Sequence, residues 1–281
     1  MALKEFKPTI WSDLIFMEYT KQLVLSELMN RDYEGEISGY GDKVKINEIG
    51  DVTVSDYKQG TPITYATPTD ASKFMLIDQQ KYSALLVEDI DVAQAKPSVM
   101  SKIAGNIGRA LAENMDGFMA GLISEAGITA DLGTTGSPIS ITSANVTTYL
   151  SLVAQKMDEA NCPQTGRVAV VPPWFAQKLA LAKITKDTDN SEVLSTGYVG
   201  EYYGFSIFKS NNVVHSGTTY YQPMFFLRND SIAFAEQLMI PEGFRSTDQF
   251  GDNLRSLVVY GGKVVRPNSL AALTCAAGAE S

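Results

Sequence analysis

The feature that most constrains this chain is a stretch from residue 40 to 65 that alternates like a β-hairpin but carries little apolar surface. Val44 and Ile46 alternate with lysines and an asparagine, and Gly50 and Asp51 predict a turn before a second short alternation. A glycine and prolines interrupt the residues after that alternation. An isolated two-stranded ribbon is marginal in water, because it cannot offset the entropy lost on ordering. We therefore expect this ribbon to need another surface to lie on.

Helical spacing dominates the two segments that flank the ribbon. Before it, Ser12 predicts the cap of an arm helix that runs to about Met29. After it, residues 73–91 predict one strand, and Pro97 begins a long amphipathic helix that ends near Gly127. Helical glycine costs about 1 kcal/mol relative to alanine, so we expect an element to cross the helix closely at its glycines. These are Gly105, Gly108, Gly117 and Gly121.

The second half of the chain predicts a mixed unit followed by returning strands. Residues 131–138 are rich in glycine, serine and threonine and predict a boundary, after which Ser143 predicts a helix cap. A strand at 167–171, a short helix opened by Pro172 and Pro173, and glycine-punctuated strands at 198–210 complete the unit. Strands over 225–237 and 254–273, with a turn at the Gly-Gly pair 261–262, are expected to lead back to the first part, so the middle unit looks inserted.

Composition excludes several classes of protein. The 281 residues are 44% hydrophobic and 20% charged, which is typical of a globular chain, and the apolar runs are too short to cross a bilayer. A net charge of -9 argues against a dedicated DNA-binding surface, since counterion release needs clustered lysine and arginine. The first residues show no secretory signal, so synthesis in the cytoplasm is expected. Cys162 and Cys275 are far apart and predict reduced, buried thiols.

Motifs for catalysis are weak throughout. The glycines between residues 197 and 204 lack the spacing of a nucleotide-binding loop and predict a turn instead. His215 is the single histidine, in a loop-like setting that gives a zinc site or a catalytic triad little to build on. The acidic groups at 88–91 and 187–190 lack the glycine and terminal glutamate of a calcium loop. We expect no catalytic residue, cofactor or metal.

Four short sequence words stand in an order that resembles a known family. They are Asn-Cys-Pro at 161–163 with the strand to residue 172, Gly-Glu-Tyr-Tyr-Gly-Phe at 200–205 leading to Ser-Asn-Asn at 210–212, Ala-Phe-Ala-Glu-Gln-Leu at 233–238, and Phe-Gly-Asp at 250–252 leading to Tyr-Gly at 260–261. Together with the order of elements, they make nearly the whole chain similar to tailed-bacteriophage major capsid proteins of the Hong Kong 97 type.

The resemblance implies an α+β fold with the parts that such coat proteins share. Residues 1–35 would be an N-terminal arm and 36–75 an extended β-hairpin loop draped over a neighbouring subunit. Residues 76–141 and 223–281 would form the peripheral domain with its spine helix, and 142–222 an inserted axial domain. The implied function is self-assembly of pentamers and hexamers into an icosahedral head around double-stranded DNA, without catalysis. A cargo-enclosing encapsulin-type shell and a soluble α+β enzyme are the alternatives.

Under this resemblance, the subunit interface is expected to include residues from the arm, the loop and a charged run near the last strands. Alternating charges there are suited to fixing register between subunits, although ion pairs within one subunit would explain them equally well. The predicted interface residues are Trp11, Lys43, Lys45, Tyr57, Lys58, Arg245, Asp248, Asp252 and Arg255.

The expected partners are other copies of the chain, a portal, and packaged DNA held without sequence-specific contacts. No long N-terminal extension precedes the arm, which favours a separate scaffolding protein. The loop lysines have no motif that identifies a crosslinking partner, so covalent crosslinking is not expected. The expected location is the virion, with no membrane association.

Overall fold

The computed structural model describes residues 24–33, 41, 43–49, 56, 59–60, 70–88, 97–182, 198–238, 242–247 and 250–279. Three α-helices lie in these ranges: α1 is Pro97–Gly121, α2 is Val146–Glu159 and α3 is Pro173–Leu181. Short 3-10 helices occur at Ser26–Leu28, Leu122–Glu125 and Pro267–Ser269. Most of the predicted arm helix lies outside the described residues, and its described end is a 3-10 helix.

Fifteen strands lie in the described ranges, most of them short. They are β1 Lys43–Ile49, β2 Asp70–Leu76, β3 Gln79–Glu88, β4 Ile139–Ile141, β5 Arg167–Val171, β6 Tyr198–Tyr202, β7 Phe205–Lys209, β8 Val214–Ser216, β9 Tyr220–Gln222, β10 Met224–Leu227, β11 Ile232–Leu238, β12 Glu242–Arg245, β13 Gly251–Val264, β14 Leu270–Ala272 and β15 Cys275–Ala277. The predicted single strand over 73–91 is two strands separated by Ile77 and Asp78, because β2 pairs with β1 whereas β3 pairs with β13.

A five-stranded sheet in the order β14-β10-β5-β7-β6 separates two hydrophobic cores. Val168 and Val170 of β5 enter one core, while Ala169 and Val171 enter the other, and all five residues of this strand are buried. Side chains alternate along a strand, so a strand without exposed positions must be covered on both faces. Helices α2 and α3 cover one face. Helix α1 and the segment at residues 24–29 cover the other.

A second sheet is built around β13, which is long enough to pair with three strands. One edge of β13 pairs with β11 and then β12, and the other edge pairs with β3 along ten residues, all antiparallel. Its inner face packs on α1 through Tyr260, whose ring meets Phe118 edge-on at 5.4 Å and whose hydroxyl is 2.9 Å from Asn114 Oδ1. Burial raises the pKa of Tyr260 to about 12.

The turn expected at Gly261 and Gly262 is wrong, because β13 runs straight through both residues. A Cβ at Gly261 would lie 2.3 Å from the Leu76 carbonyl oxygen, and one at Gly262 would lie 3.0 Å from Met119 Cε. The glycines therefore let the strand backbone approach β2 on one side and α1 on the other. The same residue type that makes turns also allows close contact, and the sequence does not distinguish the two.

The close crossing expected on α1 is wrong for two of its four glycines. A Cβ added at Gly117 or Gly121 would meet no atom within 4 Å, since both positions are exposed. Their helical conformation is held instead by the opposite face of α1, where Met115 and Met119 are fully buried. These glycines are tolerated by tertiary packing and are not required by a neighbour.

Two other local predictions have different outcomes. Ser143 does not cap α2: the cap position belongs to Asn145, whose side-chain oxygen accepts the Thr142 backbone N–H at 2.8 Å. The predicted glycine turn is confirmed between β6 and β7, where Tyr203 and Gly204 have positive φ angles of 52° and 78°, respectively.

The domain boundaries stay a prediction. Strands β10 and β14, from the predicted peripheral domain, pair into the same sheet as β5 from the predicted axial domain.

Candidate assembly surfaces

The outer face of the β13 sheet, opposite α1, is divided into a covered half and an open half. The hairpin of β1 and β2 covers the first half, pairing antiparallel from Lys43 opposite Leu76 to Ile49 opposite Asp70. Its buried side chains form a small core with those of the sheet. This third core contains Val44, Ile46, Met75, Ile77, Ala233, Ala235 and Val259.

The open half is a groove of about 1200 Å³ along β3, β12 and β13. Strand register places Tyr82 opposite Leu257 and Phe244 opposite Asn253, so these side chains stand on the same face. Tyr82 is 77% exposed and Phe244 is 46% exposed. Exposed apolar surface rimmed by polar groups is often found at contact sites, so this groove is a candidate contact surface.

A polar rim is present at the groove. Arg255 Nε donates to Glu242 Oε2 at 2.9 Å, and the two residues lie opposite each other in adjacent strands. The Arg255 guanidinium also lies 5.0 Å from the centre of the Phe244 ring. Guanidinium groups are attracted to ring faces, so this arginine holds the aromatic side chain at the edge of the groove.

The hairpin has a second, outward face that combines apolar and basic side chains. Lys43 lies opposite Leu76, and Lys45 lies opposite Phe74, so all four project to the same side. Phe74 is 56% exposed and Leu76 is 43% exposed. The hairpin thus packs on one half of the sheet through its inner face, while Phe74 and Leu76 on its outer face stay exposed.

The predicted interface residues are only partly described. Lys43 and Lys45 lie on the outward hairpin face, and Arg245 is exposed in β12, directly opposite Asp252 of β13. Arg255 pairs with Glu242 of its own subunit at the groove. Trp11, Tyr57, Lys58 and Asp248 lie outside the described residues. Whether these residues contact another subunit stays a prediction.

Sequence reasoning missed the groove itself. Tyr82 lies within the predicted strand over 73–91, but the sequence pattern predicts no role for it, for Phe244 or for Glu242. A signal was present in β3, where Tyr82 and Leu86 alternate with Leu85 and Val87, so that both faces of the strand carry apolar residues. A strand of this kind needs cover on both sides.

The described residues do not form the metal or catalytic sites that the sequence left as weak candidates. His215 is exposed, but it lies in strand β8 and not in a loop, with its ring stacked on Tyr221 at 5.4 Å. Both cysteines are free thiols: Cys275 is buried as predicted, whereas Cys162 is only half-buried. In the part of the chain that the structure describes, no group of three or more metal-ligating side chains is found. No described helix is long and apolar enough to cross a membrane.

Comparisons with known proteins agree with the geometry. The sequence profile of the phage capsid protein family matches residues 75–273. A structure from Mycobacterium phage Che8 is similar at a TM-score of 0.71 and 30% identity, covering 89% of this chain and 90% of that one. The capsid of Cyanophage P-SCSP1u gives 0.69 at 19% identity, covering 91% and 89%. A virus-like particle from Pyrococcus furiosus gives 0.60 at 12% identity, covering 96% and 100%. A search of curated protein sequences gave no significant match.

The fold and its uncovered surfaces define a structural protein, one that builds a shell. The chain belongs to the phage capsid protein family, with the Hong Kong 97-type fold. It is therefore non-enzymatic and is a component of the virion. Capsid shells are homo-oligomeric, so the soluble-enzyme alternative is set aside.

Proposed function

We propose that this protein is the repeating subunit of an icosahedral phage head, forming pentamers and hexamers that close around double-stranded DNA. One observation supports this most directly: within the described residues, the groove and the outward hairpin face keep exposed apolar side chains, although the five-stranded sheet has a core on each face. Exposed aromatic side chains beside a guanidinium are typical of the energetic centre of an interface.

The proposed occupant of the groove is the hairpin of a neighbouring subunit. That hairpin brings Phe74 and Leu76, which are 56% and 43% exposed among the described residues. Tyr82 and Phe244 would supply the apolar partners, and the Arg255–Glu242 pair would lie at the rim, where polar groups remain hydrated. Each such contact is modest. Closure of a symmetric shell multiplies it, because every subunit is held by several neighbours at once.

The acidic composition supports a wall that contains DNA without binding it tightly. A net charge of -9 disfavours broad phosphate contact, since affinity for the DNA backbone comes from neutralising phosphates with lysine and arginine. Contacts with packaged DNA would be sequence-independent. A portal and a separate scaffolding protein complete the proposed set of partners.

The groove is tested by replacing its two exposed aromatic residues together, as Tyr82→Ser with Phe244→Ser. We expect a folded subunit with an unchanged circular dichroism spectrum, and a loss of particles of at least about tenfold in sedimentation and electron microscopy. The matched control, Tyr82→Phe with Phe244→Leu, keeps the apolar surface and is expected to assemble. Normal assembly of the serine variant would reject the groove as the contact site.

The hairpin is tested by shortening it without disturbing its packed base. Ile49 and Asp70 are register partners, so an Asn-Gly turn can join them in place of residues 50–69. The buried side chains of β1 and β2 are retained in this variant. We expect a soluble, folded subunit that forms no shells. Unfolding of the variant, or normal shells, would contradict the assignment.

A compartment shell that encloses protein cargo is the second candidate, because the fold does not decide what a shell contains. A virus-like particle from Pyrococcus furiosus is matched over its whole chain. At 12% identity this match shows the fold alone. The contents of purified particles separate the two functions. Nuclease-protected double-stranded DNA supports a phage head, whereas a protein cargo without DNA supports a compartment.

A further inference from the structure

One carboxylate, that of Asp116, lies where three separate segments of the chain meet. Asp116 is on α1 and is fully buried. Its Oδ2 accepts the backbone N–H of Val24 at 3.1 Å, across 92 positions of sequence. The side chain of Asn212, in the connection between β7 and β8, also donates to it. Asp116 therefore joins the long helix, the segment at residues 24–30 and the connection at 210–213.

Both joined segments are part of the core. Leu25, Leu28 and Met29 are almost fully buried between α1 and the two sheets, and Val213 is buried in the same cluster. Asn30 continues the segment at 24–30 as a bridge to Ala233 of β11. The segment at residues 24–30 is thus attached to the core at this point, ahead of β1 in the chain.

The hydrogen bonding of Asp116 is incomplete. Its second oxygen, Oδ1, is buried without a partner among the described residues, and so is the hydroxyl of Ser26 on the arm segment. A buried, ionised carboxylate with an unpaired oxygen is costly, because the water lost on burial is not replaced. A neutral carboxyl group at the same position would not carry that cost.

Protonation of Asp116 is favoured by its surroundings. Burial raises its pKa from the ordinary 3.8 to about 6, and the backbone N–H groups of residues 24–26 and the Asn212 side chain offset only part of that effect. The groups that face Asp116 from each packed element are thus neutral dipoles. Among the described residues, the charged side chains that lie nearest in sequence to Ser26, Asp116 and Asn212 are, in that order, Glu27, Glu113 and Lys209. All three are exposed.

The direction of the pH dependence is set by this raised pKa. The folded protein holds the Asp116 proton more tightly than the unfolded chain does, so folding takes up a proton between pH 3.8 and about 6. The stability contributed by this group is fully present below pH 3.8 and is lost as the pH rises through about 6. At neutral pH the ionised group weakens the packing that it joins.

We propose that Asp116 is a latch, working by gain and loss of one proton, that sets how firmly the arm segment 24–30 and the connection 210–213 are held on α1. The protonated latch holds these segments closed. The ionised latch makes their opening easier while the surrounding cores stay folded. The device belongs to a single subunit, so it stands or falls independently of shell formation.

Hydrogen exchange on the full-length protein tests the latch. The Asp116 carboxyl has a pKa of about 6 when the two segments are closed and the ordinary value of 3.8 when they are open. The segments should therefore open about tenfold more often at about pH 7.5 than at about pH 5. We expect this difference in peptides covering 24–30 and 210–213, after correction for intrinsic exchange. Asp116→Asn keeps an acceptor for Val24 without the charge, and it should show slow, pH-independent opening.

The matched control is Glu113→Gln, an exposed carboxylate on the same helix, which should leave the wild-type pH dependence unchanged. Equal opening at both pH values in the wild type, or an unchanged pH dependence in Asp116→Asn, would overturn the proposal. If Asp116→Asn fails to fold, carboxyl-carbon NMR of the wild type decides the question. A titration of Asp116 near its ordinary pKa of 3.8 would then reject the latch.

Discussion

The two large sheets of this subunit differ in how completely they are covered. The five-stranded sheet has cores on both faces, and the central strand β5 has no exposed residue. The β13 sheet is packed against α1 on its inner face, but its outer face is half roofed by the hairpin and half open as the groove. The two sheets therefore differ in how the rest of the described chain covers them.

The exposed large apolar side chains are divided in the same way. In the described ranges, the outward hairpin face and the β13 sheet with its adjoining residue 250 contribute Phe74, Leu76, Tyr82, Leu85, Phe244 and Phe250. The remainder of the molecule contributes Leu181 and Tyr203. The five-stranded sheet with its two cores, which we call the complete region, is covered on both faces. The β13 sheet and the hairpin keep exposed apolar side chains in the single subunit. Residues in the first should govern stability, and residues in the second should govern association.

The largest expected effect on folding comes from truncating a ring in the complete region. Phe225 of β10 is fully buried and meets Phe205 edge-on at 5.4 Å. Phe225→Ala removes buried surface and leaves a cavity, so we expect the free energy of unfolding to fall by about 3–5 kcal/mol in urea denaturation.

Phe244→Ala in the groove is the matched comparison. Because this ring is 46% exposed in the subunit, its removal should cost about 1 kcal/mol or less in unfolding, yet it should strongly reduce particle yield. Equal losses of stability for the two alanine variants would show that the groove is part of the subunit's own core, and the comparison would fail.

Much of the complete region could be predicted from sequence, because local periodicity and burial agree there. The strand at 167–171, the helix opened by Pro173 and the glycine turn at 203–204 all obey local rules of pattern and backbone geometry. The turn predicted at Gly261 and Gly262 was wrong because the role of these residues depends on distant partners. Gly261 and Gly262 are strand residues because β2 and α1 approach them, and nothing local records that approach.

The candidate surfaces were predictable only in outline. The ribbon's need for a supporting surface can be inferred from its sparse apolar pattern, and β1, which lies in the predicted ribbon, packs on the β13 sheet of its own chain. Its strand partner β2 lies beyond the predicted ribbon, and that pairing was not predicted. The groove depends on the register in which β3 and β12 each pair with β13. Strand β3 lies far from the other two in sequence. Register across such a distance cannot be derived from local sequence, so the sequence does not predict that Tyr82 and Phe244 line one groove.

A smaller effect is expected at the seam where the hairpin meets the sheet. Gly261→Ala places a methyl group 2.3 Å from the Leu76 carbonyl oxygen, so the backbone must shift, at a cost of about 1–3 kcal/mol in unfolding. Gly117→Ala is the control, since its methyl group meets no atom within 4 Å. It should stabilise α1 by up to about 1 kcal/mol. A stabilising Gly261→Ala would show that the hairpin does not press on the sheet.

The smallest effect on folding is expected from two exposed ion pairs that differ mainly in position. Arg255 pairs with Glu242 at the groove, and Arg266 pairs with Asp230 away from it. Exposed pairs contribute about 0–1 kcal/mol, so Arg255→Ala and Arg266→Ala should barely change the urea midpoint. Arg255→Ala also releases the Phe244 ring from its guanidinium, so it alone should lower particle yield, with a deficit that depends on salt. Equal yields for the two variants would remove the polar rim from the proposed contact and leave the aromatic side chains to carry it.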